Sequence, residues 1–174
     1  PNDPTAGGWY WTLLRRINVF FANYDKVDVP ESVKSKYAGE AYFFRAWFYF
    51  DKVQMYGDVP YITEPLTTES EELYGPRTPR KEVMDHVLDD INKACELLPE
   101  SWSSDKGSRV SKGAALALKS RICLFEGTYR KYHNLGDEQK YLEETVNASQ
   151  ELMNMKKYSI YNTGNPDSDY ATLF

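Results

Sequence analysis

Only two histidines and two cysteines occur among the 174 residues, and this scarcity limits the chemistry that the protein can perform. His86 and His133 belong to no H-x-x-x-H or H-E-x-x-H pattern, so a zinc site is not expected. Cys95 and Cys123 form no C-x-x-C motif and lie among apolar residues of predicted helices. We therefore expect two core cysteines, with a disulfide between adjacent helices as the alternative.

Other features that the sequence lacks exclude further classes of protein. No apolar run approaches the roughly 18 residues of a membrane-spanning helix. Lys and Arg are dispersed and the formal net charge is −5, which argues against a nucleic-acid partner. No Gly-rich phosphate loop and no Ser/His/Asp or Cys/His signature is present, so no cofactor and no catalytic residue are predicted.

The most informative stretch is aromatic: seven of the ten residues in Ala41–Phe50 carry rings. From Ser32 to Tyr56 there is no proline, a single glycine and regularly spaced polar residues, which predicts one long helix. Gly57 and Pro60 predict where this helix ends. Because such a helix is apolar nearly all round, we expect its rings to be covered by flanking helices.

Arg45 stands alone as a charged residue inside the aromatic run. Glu40 and Asp51 flank the run, but offsets of five and six residues do not face each other on a helix. We therefore expect Arg45 to pair with an acidic residue of another helix.

Apolar spacing predicts four more helices, and therefore an all-α fold of about five helices. Helix 1 is predicted over Trp9–Asp25, and helices 3, 4 and 5 are predicted to begin at Thr78-Pro79, Ser111 and Asp137. The apolar stripe of helix 1 comprises Tyr10, Leu13, Leu14, Ile17, Phe20, Phe21 and Tyr24. Helices 4 and 5 combine small residues on one helix with large residues on the other, which is typical of a tetratricopeptide unit.

A polar connection of 20 residues, 58–77, separates the second and third predicted helices. So long a segment without secondary structure is unusual in a compact domain. We expect it to cross the surface and to be held there by its apolar residues Tyr61, Ile62 and Leu66.

Two blocks of sequence carry a family resemblance. Residues 39–62 read GEAYFFRAWFYFDKVQMYGDVPYI, and residues 109–121 read RVSKGAALALKSR. Both blocks, in this order, resemble the SusD/RagB family, the surface glycan-binding lipoproteins of Bacteroidetes. The resemblance implies tetratricopeptide-like helical pairs. It also implies that residues 1–174 are one helical-repeat region, the N-terminal part of a larger SusD-like protein that is truncated at both ends.

The resemblance further implies a function without catalysis. A SusD-like protein binds an oligosaccharide or similar nutrient at the extracellular face of the outer membrane and delivers it to a SusC-like TonB-dependent barrel. Its membrane attachment would be a lipid anchor upstream of this sequence. The two matched blocks are scaffold motifs in that family, so they identify no ligand-binding residue here, and the helical repeats are expected to dock on the barrel.

The residues themselves suggest one candidate site for ligand contact, at the start of helix 1. At about 100° per residue, Trp11 points away from the apolar stripe, on the side of Arg15 and Asn18. Trp9 lies nearer the edge of the stripe, and Gly7-Gly8 predicts a flexible entry. A flat ring beside polar groups suits a sugar. The alternative for Trp11 is packing against a second layer of helices.

Trp102 is a further aromatic candidate, in a Ser-rich loop, where it is expected either to fold back over helix 3 or to bind a ligand. Two other functions also stay open. One is a helical-repeat adaptor that binds a protein and no sugar. The other is a fragment of an all-α glycoside hydrolase, which would need two carboxylates across a sugar cleft. Most acidic residues fall in solvated positions, so we predict no active site.

Overall fold

The fold is all-helical in a computed structural model that describes residues 6–103 and 108–173. The α-helices are α1 (Thr12–Phe21), α2 (Glu31–Tyr56), α3 (Arg80–Leu97), α4 (Lys112–Tyr132), α5 (Glu138–Asn154) and α6 (Pro166–Leu173). Single 3-10 turns lie at Ala6–Gly8, Tyr24–Lys26 and Glu71–Tyr74. Within those two ranges, β pairing is limited to one isolated bridge between Val59 and Thr78. The all-α prediction is confirmed.

Consecutive helices form the layers of the fold. α2 packs on α3, α3 on α4 and α4 on α5, while α1 packs on α2. This order is the one found in stacked helical repeats. Gly127 lets α4 and α5 approach closely, because a Cβ there would lie 2.8 Å from Leu142 Cδ2. None of the described helices is both long enough and apolar enough to cross a membrane.

The predicted starts of helices 3 to 5 are confirmed to within two residues. α3 begins at Arg80, one residue later than expected. Ser111 caps α4, since its hydroxyl accepts the N–H of Ala114 at 3.5 Å. Asp137 precedes α5 without a side-chain cap, because its carboxylate instead contacts Lys81 Nζ at 2.6 Å. The short helix α6 was not predicted, and it has no apolar stripe that spacing could reveal.

Helix α1 is shorter than its predicted span of Trp9–Asp25. It ends at Phe21, and the side chain of Asn23 donates to the carbonyl of Val19 at 2.7 Å. Such a local side-chain bond competes with helical backbone bonding. The buried face also differs from the prediction, because Leu14, Ile17 and Asn18 are buried whereas Tyr10 and Leu13 are exposed.

The long aromatic helix is confirmed, and Gly57 ends it with a left-handed φ of 71°. Its rings are not all covered, however. Phe43, Phe48, Tyr49 and Phe50 are buried, but Phe44 is 36% and Trp47 51% exposed. The expectation that all seven rings are shielded is therefore wrong for two of them. The helix has neighbours on only part of its circumference, and these two rings lie outside that part.

Both cysteines are buried free thiols, which confirms that they belong to the core. Burial raises the pKa of Cys95 to about 11 and the pKa of Cys123 to about 12. The alternative of a disulfide between Cys95 and Cys123 is therefore not realised.

Arg45 has the partner on another helix that the sequence requires. Its Nε and one Nη donate to the two carboxylate oxygens of Asp90 on α3, both at 2.7 Å. Its guanidinium also lies 4.7 Å from the ring centre of Phe21 on α1 and 5.4 Å from that of Tyr42. One buried cation therefore connects α1, α2 and α3.

Substituting Arg45 by Met should lower the free energy of unfolding by about 3–5 kcal/mol, because Asp90 would keep a buried charge without a partner. Chemical denaturation measures the loss. The double variant Arg45→Met with Asp90→Leu should recover most of it, since no buried charge remains. Lys81→Met, which breaks an exposed pair, is the control and should change little. An unchanged unfolding midpoint in the Arg45 variant would contradict this assignment.

Candidate ligand-binding groove

A groove of about 760 Å³ lies between α1 and the connection 58–77. It brings together all four residues that the sequence suggested, Trp9, Trp11, Arg15 and Asn18. The loop side of the groove was not predicted residue by residue. From α1 the groove is also lined by Thr12 and Leu14. The loop side consists of Pro60, Ile62, Glu64, Leu66, Thr67, Thr68, Glu72 and Leu73.

The connection 58–77 is held at its two ends and along its length. Val59 and Thr78 exchange backbone hydrogen bonds of 3.2 and 3.0 Å, which close the loop at its base. The hydroxyl of Tyr49 on α2 accepts the N–H of Ile62 at 2.7 Å and lies 3.1 Å from the carbonyl of the same residue, to which it donates. Burial raises the pKa of the Tyr49 phenol above its ordinary value, so the proton needed for donation is retained. Tyr61 and Ile62 also pack against the hydrophobic core, which confirms for these two residues the expectation of a loop held by its apolar side chains.

Two of the predicted ligand residues hold this loop from the side of α1. Asn18 Nδ2 donates to the carbonyls of Ile62 and Glu64 at 3.0 and 3.2 Å, and a guanidinium N–H of Arg15 donates to the carbonyl of Leu66. Asn18 is only 1% exposed, although the sequence placed it on a polar side of helix 1. The loop covers that side, which helical periodicity cannot show. Direct contact of Arg15 and Asn18 with a ligand stays a prediction.

The two tryptophans form the aromatic end of the groove. Trp9 packs edge-on against Trp11, with ring centres 5.0 Å apart, and against Tyr56 at 4.7 Å. Trp11 packs edge-on against Phe48 and Tyr49 of α2. Trp11 therefore packs on a second helix, as the alternative expected, and it also lines the groove. Contact of Trp9 and Trp11 with a ligand stays a prediction.

The Gly7-Gly8 entry makes two hydrogen bonds to α2. Both glycines have left-handed φ angles, 74° and 80°, which a residue with a Cβ rarely adopts. The hydroxyl of Tyr56 donates to the carbonyl of Gly7, and Lys52 Nζ donates to that of Gly8 at 2.7 Å. These two bonds from α2 position the approach to Trp9, and its flexibility stays a prediction.

A second cavity of about 570 Å³ lies beside Trp102, Arg109 and the first turns of α4. Trp102 folds back, since its Nε1 donates to the carbonyl of Val110 at 2.7 Å. Arg109 stacks on Trp102 at 3.6 Å and forms an ion pair with Glu40. Trp102 and Arg109 thus contribute to the fold at this cavity. Residues 104–107 of its loop lie outside the described residues.

No cluster of three or more potential metal ligands occurs within residues 6–103 and 108–173. The imidazole of His86 stacks on Tyr61 at 4.1 Å, and His133 lies 4.2 Å from the ring centre of Tyr129. Each histidine is thus engaged with an aromatic ring.

Comparison with known proteins connects this geometry to a family. Residues 10–124 match the SusD-like family described as starch-binding and associating with the outer membrane. This chain belongs to the SusD-like family. The matched range contains both sequence blocks and every lining residue of the groove except Trp9.

Individual relatives agree with this assignment. The chain is 34% identical over 120 residues to SusD-like protein P38 of Formosa agariphila, covering 69% of this chain and 23% of the relative. A solved SusD-like protein from Bacteroides fragilis matches with 34% identity and a TM-score of 0.74, covering 88% of this chain and 27% of that one.

A laminarin-binding SusD-like protein of known structure matches with 28% identity and a TM-score of 0.65, covering 79% of this chain and 27% of the other. This SusD-like chain thus spans about a quarter of the length of the relatives that it matches. SusD-like proteins are binding proteins without catalysis, so the family assignment argues against the hydrolase alternative.

Replacing Tyr49 by Phe should loosen the loop wall of the groove, because the N–H of Ile62 loses its partner and its carbonyl keeps only the bond from Asn18. We expect a stability loss of about 1–3 kcal/mol and faster proteolysis of residues 58–77. The control is Tyr61→Phe, because the hydroxyl of Tyr61 makes no hydrogen bond within the described part of the chain. Equal protease sensitivity of the two variants would show that Tyr49 does not hold the loop.

Proposed function

We propose that this protein is a non-catalytic, cell-surface binding protein that captures an oligosaccharide or similar nutrient and delivers it to a SusC-like TonB-dependent transporter. The observation that carries the proposal is a groove with two indole rings and convergent polar groups, in a chain of a family described as starch-binding. Sugars bind to such sites through ring contacts and hydrogen bonds. No covalent step is required.

The described helices would serve as scaffold and as the docking surface for the transporter. The family description supports an association with the outer membrane. We further propose that the protein lies at its extracellular face and is held there by a lipid anchor. The present chain would be the N-terminal part of a larger SusD-like protein, which agrees with its match to about a quarter of each relative.

A helical-repeat adaptor that binds a protein and no sugar is the second candidate. One observation favours it: the rings of Phe44 and Trp47 on α2 stack at 6.5 Å and remain exposed to solvent. Exposed aromatic rings in proximity are frequent at protein interfaces.

Isothermal titration of the full-length protein against a panel of oligosaccharides tests the first candidate. Trp9→Ala should weaken binding of the oligosaccharide about fivefold to tenfold, since a ring contact with the ligand is lost. Trp47→Ala removes an exposed indole outside the groove and should leave the affinity unchanged. Melting temperatures establish that both variants are folded. Equal affinities of the two variants would show that the groove is not part of the binding site.

Affinity capture with the tagged full-length protein should retain the TonB-dependent barrel encoded by the neighbouring reading frame. Capture of that barrel, together with a measurable heat of binding for at least one oligosaccharide, supports the proposed function. Capture of the barrel without a heat of binding for any oligosaccharide would favour the adaptor instead.

A further inference from the structure

An uncovered apolar strip runs along α2. Five large apolar side chains of this helix remain exposed and form what we call the α2 strip: Val33, Tyr37, Phe44, Trp47 and Met55. At about 100° per residue, four of them lie within about 40° of one another around the helix, and Trp47 lies about 60° from Phe44 on the same side. At about 1.5 Å per residue, the α2 strip is about 33 Å long.

The middle of the α2 strip presents aromatic rings and no charge. Arg45 is the one charged residue between Glu40 and Asp51, and it is buried. The rings of Phe44 and Trp47 are stacked there and remain exposed. An interface has the same distribution, with charged residues depleted at its centre and polar groups at its rim.

The neighbouring helix α3 shows how this protein builds a helix face that meets water. Every exposed residue of α3 is charged: Lys81, Glu82, Asp89, Lys93 and Glu96. The α2 strip has the opposite character, and proteins rarely leave contiguous apolar surface in contact with water unless it is a contact surface. The occupant of the α2 strip is not among residues 6–103 and 108–173.

Apolar side chains are also uncovered near the last described residues. Ile160 is 93% exposed, and Tyr170 on α6 is exposed as well. Within the described ranges, α6 packs against no other helix. The chain spans about a quarter of the length of its relatives, which leaves about three quarters of each relative without a counterpart here. That missing length is sufficient to cover both surfaces.

We propose that the polypeptide that follows residue 174 in the full-length protein packs permanently on the α2 strip. This inference rests only on the part of the proposed function that makes the chain the N-terminal part of a larger protein. The rings of Phe44 and Trp47 then join the helical repeats to the remainder of the same molecule. They are not available to a separate protein, so they no longer favour the adaptor candidate.

Thiol labelling of the full-length protein with a maleimide tests this assignment. Phe44→Cys places a thiol in the middle of the α2 strip, and Met55→Cys does so with a smaller change of side chain. Glu96→Cys on the charged face of α3 is the control. Cys95 and Cys123 are buried, and the unaltered protein measures the background.

Both strip cysteines should react at least about tenfold more slowly than the control, because a covered thiol reacts only when the structure opens locally. All three variants should react at the same rate in denaturant. Melting temperatures establish that each variant is folded, and sedimentation gives the oligomeric state during labelling.

Three results would overturn the inference. Strip cysteines that react as fast as the control show that the α2 strip is open in the full-length protein. Protection that is lost when a dimer dissociates on dilution assigns the strip to a second copy, and protection that requires the added transporter assigns it to that partner.

Titration of the same protein with oligosaccharides separates this inference from the proposed function. An open strip in a protein that binds an oligosaccharide removes the inference and leaves the proposed function standing. A protected strip in a monomer that binds no oligosaccharide supports the inference and removes the proposed function.

Discussion

The buried ion pair between Arg45 and Asp90 is the interaction on which the arrangement of α1, α2 and α3 depends. A guanidinium buried among aromatic rings loses its hydration. The two hydrogen bonds of 2.7 Å from Arg45 to the carboxylate of Asp90 compensate for that loss. The ring of Phe21 on α1 lies 4.7 Å from the same guanidinium. A shift of any one helix would therefore leave a charge buried without its full set of partners.

Arg45 is the first residue of a polar row that continues along α2 through Tyr49, Lys52 and Tyr56. Offsets of four, three and four residues place them on one side of a helix. Together they reach three other segments: Arg45 binds Asp90 of α3, Tyr49 binds Ile62 of the long connection, and Lys52 and Tyr56 bind Gly8 and Gly7 of the N-terminal segment. The same helix thus builds the core with its rings and positions both walls of the groove with its polar atoms.

Much of the fold could be predicted from local patterns. The span of α2, its end at Gly57 and the start of α4 at Ser111 depend on composition and capping over a few residues, and the structure confirms them. The need for a partner of Arg45 on another helix also followed from helical geometry, because neither flanking carboxylate faces it. In contrast, the exposure of Phe44 and Trp47 depends on how many helices surround α2, which local sequence does not specify.

The sequence by itself determined the family, the helical elements and the four residues of α1 and its approach that meet at the groove. Only the tertiary structure decided what these residues do, because helical periodicity records which side of a helix is apolar and not which segment covers it. The connection 58–77 folds over the polar side of α1, so that Asn18 becomes buried and hydrogen-bonds to that connection. It also brings Glu64 and Glu72 into the same groove as Trp9 and Trp11, although about 60 residues separate them in the sequence. This proximity arises from long-range hydrogen bonds, such as the one between Ile62 and Tyr49, and not from local sequence.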